Sequence, residues 1–128
     1  MVVNQADGQI LCTNFGKGRV HDLRLFKQHR LPMLPEQLCL ADKGDQGLVK
    51  LHSSSCVPTK QPRKSRLVPA ELHHNRTLAQ ARVVVEHINR KLKIFRILAE
   101  RYRNRRQRFG LRFNLIAALV NFELSLSA

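Results

Sequence analysis

Residues 78–98 read LAQARVVVEHINRKLKIFRIL, and one apolar stripe runs through them at helical spacing: Leu78, Ala81, Val85, Ile88, Leu92 and Phe95 recur three or four residues apart. The spacing predicts a helix that opens near Pro69, a residue tolerated in a first turn, and continues to about Lys93. Glu86 is the only acidic side chain between Leu72 and Ala99, with Arg82, Arg90, Lys91, Lys93 and Arg96 around it. At about 100° per residue it falls beside the stripe, and Arg82, Asn89, Arg90 and Lys93 share its flank. Two roles stay open. Glu86 can leave the helix toward a neighbouring element, or it can pair with Arg82 or Arg90 as a surface contact contributing roughly 0.3–0.5 kcal/mol.

Working toward the amino terminus, QLCLAD carries an apolar run, Leu38 to Ala41, that ends in Asp42 and the turn residues Lys43-Gly44, the pattern of a buried strand. CVPTK reads as a second short strand, and Gly47 to Ser55 as a weak helical turn. HDLRLFKQ, residues 21–28, reads as a short helix stopped by Pro32 and Pro35. At the start, Asp7-Gly8 between two β-prone runs signals a hairpin with strands near 1–5 and 9–15. Toward the carboxyl end, NLIAALVNFEL reads as an apolar terminal helix at about 113–124. The order hairpin, helix, strand, strand, long helix makes the class α/β with a mixed sheet.

The 128 residues suit one domain or part of one, and hydrophobic residues at 43% supply a small core. Lys and Arg total 23 against 9 Asp and Glu, a net charge of +14. A surplus of that size answers a polyanion, because each cation set against a phosphate releases condensed counterions. It concentrates in a basic loop at 60–66, with Arg63, Lys64 and Arg66, and a basic segment at 101–112, with Arg101, Arg103, Arg105, Arg106 and Arg108. Together with Arg82, Arg90 and Lys93 these are the candidate nucleic-acid contacts.

Cys12, Cys39 and Cys56 are spaced too irregularly for a metal clip, and their odd number argues against a closed disulfide set, so reduced cytoplasmic thiols are expected. His73, His74 and His87 have no partner at zinc-site spacing. MVVNQADGQILC lacks the pattern of a signal peptide, and the longest apolar stretch, LIAALV at 115–120, is too short for a bilayer, so no membrane partner is expected.

Asp42 follows directly on its strand, where open α/β sheets keep their sites, although a turn-forming Asp is the common alternative. Converging with Glu86, it would suit Mg²⁺, a hard ion that takes one or two carboxylates and leaves its other positions to water and phosphate oxygens.

Read in order, GKGRVHDLRLF (16–26), LCLADKG (38–44) with Gln46-Gly47, NRTLAQARVVVEH (75–87), KLKIFRIL (91–98), RYRNRRQRFGLRFNLIA (101–117) and NFEL (121–124) resemble the carboxyl-terminal catalytic half of DDE-superfamily transposases. The nearest branch is that of bacterial insertion-sequence transposases related to the eukaryotic Harbinger elements. The resemblance covers nearly the whole chain, 1–128, and implies an RNase H-like mixed sheet with flanking helices that cuts and joins DNA through an Asp, Asp, Glu triad binding Mg²⁺ or Mn²⁺. Asp42 in LADKG matches the second aspartate and Glu86 in VVVEH matches the glutamate, so both are expected as catalytic metal ligands. Asp22 matches the family's HD position, which reads as structural or supporting.

Two departures follow from the same resemblance. The first aspartate has no counterpart, since Asp7 sits in the hairpin turn, so the fold is expected to be truncated, with its first core strand missing. Such a chain would be inactive alone and would associate with itself or with an upstream transposase fragment. Asp45 stands where the family usually has tyrosine. Two other readings remain: a non-catalytic basic nucleic-acid-binding module built on RYRNRRQR, and an assembly role in which the apolar terminal helix packs against a partner subunit.

Overall fold

Gly8 opens the fold at a φ of 75°, a left-handed conformation that favours glycine. Its N–H donates to the Asn4 carbonyl at 2.9 Å, and the Asn4 N–H donates to the Gln9 carbonyl at 2.8 Å. Asp7 Oδ1 accepts from the Gln9 N–H at 2.9 Å, which completes the turn. The structure, a computed structural model, describes residues 1–16, 20–29, 32–99 and 108–127. The chain forms two compact units: residues 1–15 with 83–128, and residues 16–82.

In the first unit the Gly8 turn joins β1 (Val2–Val3) to β2 (Ile10–Cys12) as an antiparallel pair, Val2 opposite Cys12 and Val3 opposite Ile10. Helices α3 (Val83–Lys93), α4 (Arg96–Ala99) and α5 (Phe109–Leu126) complete it. A side chain at Gly8 would begin 3.4 Å from Ile88 Cδ1 and 3.7 Å from Val84 Cγ1, so the bare turn seats directly on α3. The core is Ile10, Ile88, Leu92, Ile116, Ala117 and Val120, with Met1, Val3, Leu98, Phe113 and Leu124 packed at its edge. A three-residue strand cannot hold itself in water. Asn121 on α5 fixes it: the Ile10 N–H donates to Asn121 Oδ1 at 2.8 Å and Asn121 Nδ2 donates to the Ile10 carbonyl at 3.0 Å, the pair of bonds a third strand would supply.

The second unit holds α1 (Asp22–Gln28), β3 (Cys39–Leu40), a 3₁₀ turn (Leu48–Lys50), β4 (Ser55–Cys56) and α2 (Pro69–Ala81). Strands β3 and β4 run parallel, Cys39 beside Ser55 and Leu40 beside Cys56. Asn75 on α2 repeats the device of the first unit, accepting from the Thr59 N–H at 2.7 Å and donating to the Thr59 carbonyl at 3.0 Å. The buried side chains of this unit include Leu48, Leu78 and His52, whose Nε2 lies 2.5 Å from the Gln37 carbonyl.

The α/β class stands, with five α-helices among the described residues. In place of the expected mixed sheet, the described residues form a two-stranded sheet in each unit, one antiparallel and one parallel. Leu38 is 65% exposed, and Cys39, Leu40 and Ala41 are half-buried rather than buried, because among the described residues β3 has a neighbour on one side only.

The helix does open at Pro69, with Glu71 Oε2 accepting the Val68 N–H at 3.1 Å. It is interrupted at Arg82, whose N–H is shared between the Leu78 and Ala79 carbonyls, just before three consecutive β-branched residues, Val83 to Val85. Leu78, Ile88 and Leu92 of the stripe are buried, whereas Phe95 falls beyond the end of α3 and is exposed. Helix α5 begins four residues before the expected 113, and Arg108 enters it at a φ of 59°. Gly110 makes room for Phe15, whose ring meets Phe109 edge-on at 5.1 Å.

Asn121→Ala strands both polar groups of Ile10 in a partly buried setting. Its expected cost is about 2 kcal/mol of unfolding free energy, read by urea titration, against about 1 kcal/mol or less for Asn114→Ala, which gives up a single exposed hydrogen bond from the Thr13 hydroxyl.

Candidate functional site

Asp42 stands two residues beyond β3. The preceding Ala41 N–H still donates to the Cys56 carbonyl of β4 at 3.0 Å, so the ladder carries the chain to the carboxylate. There it turns sharply: the Asp42 carbonyl accepts the Asp45 N–H and the Asp45 carbonyl accepts the Leu48 N–H, each at 2.9 Å. Gln46 Nε2 holds the loop by donating to the Lys43 carbonyl at 3.0 Å and the Pro58 carbonyl at 2.8 Å. Asp42 Oδ1 accepts the Lys43 N–H at 2.6 Å and an Arg82 Nη1 hydrogen at 3.1 Å. The Asp42 side chain is 66% exposed and Arg82 24%, which limits the ion pair to about 0.5 kcal/mol.

Asp22 lies in the first turn of α1, whose N-terminus is capped by His21 Nδ1 accepting the Leu23 N–H at 3.3 Å. A carboxylate there favours the helix dipole, a structural role that needs no ligand. Burial, and then the charge of Asp22, push the Asp45 carboxyl above the ordinary aspartate value, with Asp42 adding to the rise and His21 opposing it. Burial, followed by Asp45, likewise raises the Cys39 thiol. Cys12, Cys39 and Cys56 are all free and half-buried.

Glu86 lies in the first turn of α3 and is exposed. Among the described residues it forms no ion pair with either expected partner, Arg82 or Arg90; Arg82 goes to Asp42 instead. Asp42 belongs to the second unit and Glu86 to the first. Arg63, Lys64 and Arg66 lie outside regular elements and are exposed, as are Arg90, Lys93 and Arg108. Arg101, Arg103, Arg105 and Arg106 lie outside the described residues. The Asp42–Arg82 pair had no sequence signal, because the two residues are 40 apart.

A sequence profile described as DDE superfamily endonuclease matches residues 1–121. The chain belongs to that family. It is also 48% identical over all 128 residues to a protein of Microchaete diplosiphon described as a probable transposase for insertion sequence element IS702, and it spans 46% of that protein's length. No solved structure matches.

DDE endonucleases generally use divalent metal ions. Among the described residues no group of three or more His, Cys, Asp or Glu side chains is arranged to hold one. Asp42 Oδ1 is already engaged by a main-chain N–H and a guanidinium. The described residues therefore do not by themselves make a metal centre.

The raised Asp45 carboxyl gives the second unit a signed pH dependence. Its contribution to stability is full below the ordinary aspartate value, about 4, and is lost as pH climbs through the higher value of the folded state. Asp45→Asn is expected to flatten that loss and to raise stability at neutral pH, as read by denaturant titrations across the acid-to-neutral range.

Proposed function

We propose that residues 1–128 form the carboxyl-terminal portion of a transposase catalytic domain, and that the complete protein cleaves DNA and transfers strands by divalent-metal phosphodiester chemistry. Asp42 and Glu86 are two of its metal-ligand carboxylates, with Mg²⁺ or Mn²⁺ as the ion. Family membership over 1–121 supports this reading, and the observation that carries it is the carboxylate held at the end of a β-ladder in LADKG. These residues alone are catalytically silent, since two carboxylates leave the metal underdetermined and misplaced groups lose rate steeply. The missing donor would come from an upstream transposase fragment.

DNA is the partner. Arg63, Lys64, Arg66, Arg82, Arg90, Lys93, Arg101, Arg103, Arg105, Arg106 and Arg108 supply cations for its phosphates, and the protein works in the cytoplasm. Arg82 has a particular place in this reading. Its guanidinium donates to Asp42 Oδ1, so an ion held by that oxygen would have to share it with Arg82 or displace it.

The second reading, a non-catalytic basic nucleic-acid-binding module, is favoured by the net charge of +14 and by the exposed loop residues Arg63, Lys64 and Arg66. Fluorescence anisotropy of a DNA duplex, titrated with the chain in the presence and absence of Mn²⁺, separates the two. The transposase reading expects a metal-dependent gain in affinity that disappears in Asp42→Ala and in Glu86→Ala. A gain that survives both substitutions overturns the assignment, and salt-sensitive binding indifferent to metal selects the module. In the same assay, replacing Arg63, Lys64 and Arg66 together by Ala should lower the slope of log affinity against log salt by roughly 2 to 3.

A further inference from the structure

Helix α5 is apolar on two opposite sides. Ile116, Ala117 and Val120 face the core, with Phe113 and Leu124 beside them, and the helix packs there on α3 and β2. At 100° per residue, Leu111, Leu115, Ala118, Leu119, Phe122 and Leu126 occupy an arc about 100° wide on the other side, as broad as an ordinary core-facing stripe. The five large residues of that arc are 57, 56, 57, 63 and 71% exposed in chain order. Their spacing comes close to the alternation of four and three residues that lets helices interlock. No charged residue interrupts the arc; Arg112 and Glu123 mark one edge, Asn114 and Ser125 the other.

We infer that this face is the contact between two copies of the chain, with the two α5 helices antiparallel about a twofold axis. The inference is independent of the metal chemistry above. A two-fold contact requires a self-complementary surface. When the pair is centred between Ala118 and Leu119, Leu111 meets Leu126 of the other copy, Leu115 meets Phe122, and Ala118 meets Leu119. Every pairing across the axis is apolar, and the small Ala118 lies at the centre, where two helices approach most closely.

Charge agrees with this arrangement. In an antiparallel pair each flank faces the same flank of its mate. Arg112 and Glu123 share a flank, and in this register Arg112 of one copy stands about 3 Å along the axis from Glu123 of the other, within reach of a salt bridge made twice. Lys91, 3.5 Å from Glu123 within the chain, extends the same network. A parallel pair would instead set the flank of Arg112 and Glu123 against the uncharged flank of Asn114 and Ser125 and make no such bridge.

The area is sufficient for a reversible dimer. If each of five large side chains gives up on the order of 100 Å², the pair removes about 1,000 Å², the lower bound for a specific interface. A bilayer is the competing occupant, because residues 109–126 are by length and composition long and apolar enough to cross one, with 17% of that window buried. Asn121 is committed to β2, however, and Arg112 and Glu123 would both lie inside the span.

Sedimentation equilibrium of the chain is expected to give a concentration-dependent dimer with a micromolar dissociation constant. Leu115→Glu or Leu119→Glu should raise that constant by ~100-fold or more, with helical circular dichroism unchanged because both positions are already exposed. Arg112→Glu should weaken the dimer, and Arg112→Glu with Glu123→Arg should restore it. In a background lacking the three native cysteines, oxidising a mixture of Leu111→Cys and Leu126→Cys chains should cross-link one to the other. A monomer at submillimolar concentration overturns the inference, as does association that survives Leu115→Glu. Cross-links confined to chains of the same kind, or co-sedimentation with neutral phospholipid vesicles in place of dimerisation, overturn it as well.

Discussion

Two asparagine amides tie helices to extended main chain, one at β2 and one just after β4. Asn121 gives Ile10 both hydrogen bonds that a neighbouring strand would give, and Asn75 does the same for Thr59. Strands of two or three residues bury too little to persist alone, and a ladder with one neighbour leaves half its main-chain groups to find other partners. In each unit a helix supplies those partners through a side chain with a donor and an acceptor side by side. Remove that fit and β2 loses its seat on α5, and the segment after β4 its seat on α2.

The candidate carboxylates inherit their positions from these arrangements. Asp42 is carried by β3, whose pairing with β4 continues through Ala41 and stops just short of the acid. Glu86 opens α3, which is set by Ile88 and Leu92 in the core and by the bare Gly8 turn against it. Both acids remain accessible, Asp42 at 66% side-chain exposure, as the proposed metal-ligand role would require. Surplus positive charge surrounds Glu86 in sequence, and the proposed DNA partner would give that charge its counterpart.

A divided sheet and a helix apolar on two sides point to the same economy. Residues 1–128 correspond to 46% of the length of the transposase they resemble. Within that length the hydrophobic residues are numerous enough to fill a core in the first unit and still leave Leu111, Leu115, Leu119, Phe122 and Leu126 facing water. Surface apolar residues are ordinary when scattered; a continuous stripe along one helix is an interface.

Much was legible beforehand. Asp7-Gly8 gave the hairpin, Pro69 the start of α2, His21-Asp22 the start of α1, and helical periodicity the buried positions Leu78 on α2 and Ile88 and Leu92 on α3, because these signals act over a few residues. The acids' local settings, one after a strand and one in a helix, were legible for the same reason. Strand lengths, the break at Arg82 and the division of the sheet were not, since each depends on which distant groups compete for the same main-chain hydrogen bonds. Nor was the partner of Arg82. Sequence offered Glu86 four residues away, and the fold delivered Asp42 forty residues away, because a guanidinium goes to whichever carboxylate packing brings within 3.1 Å. Local chemistry thus determined the elements and the local settings of Asp42 and Glu86, while contacts between remote segments decided what Asp42 touches and which side of α5 faces the core.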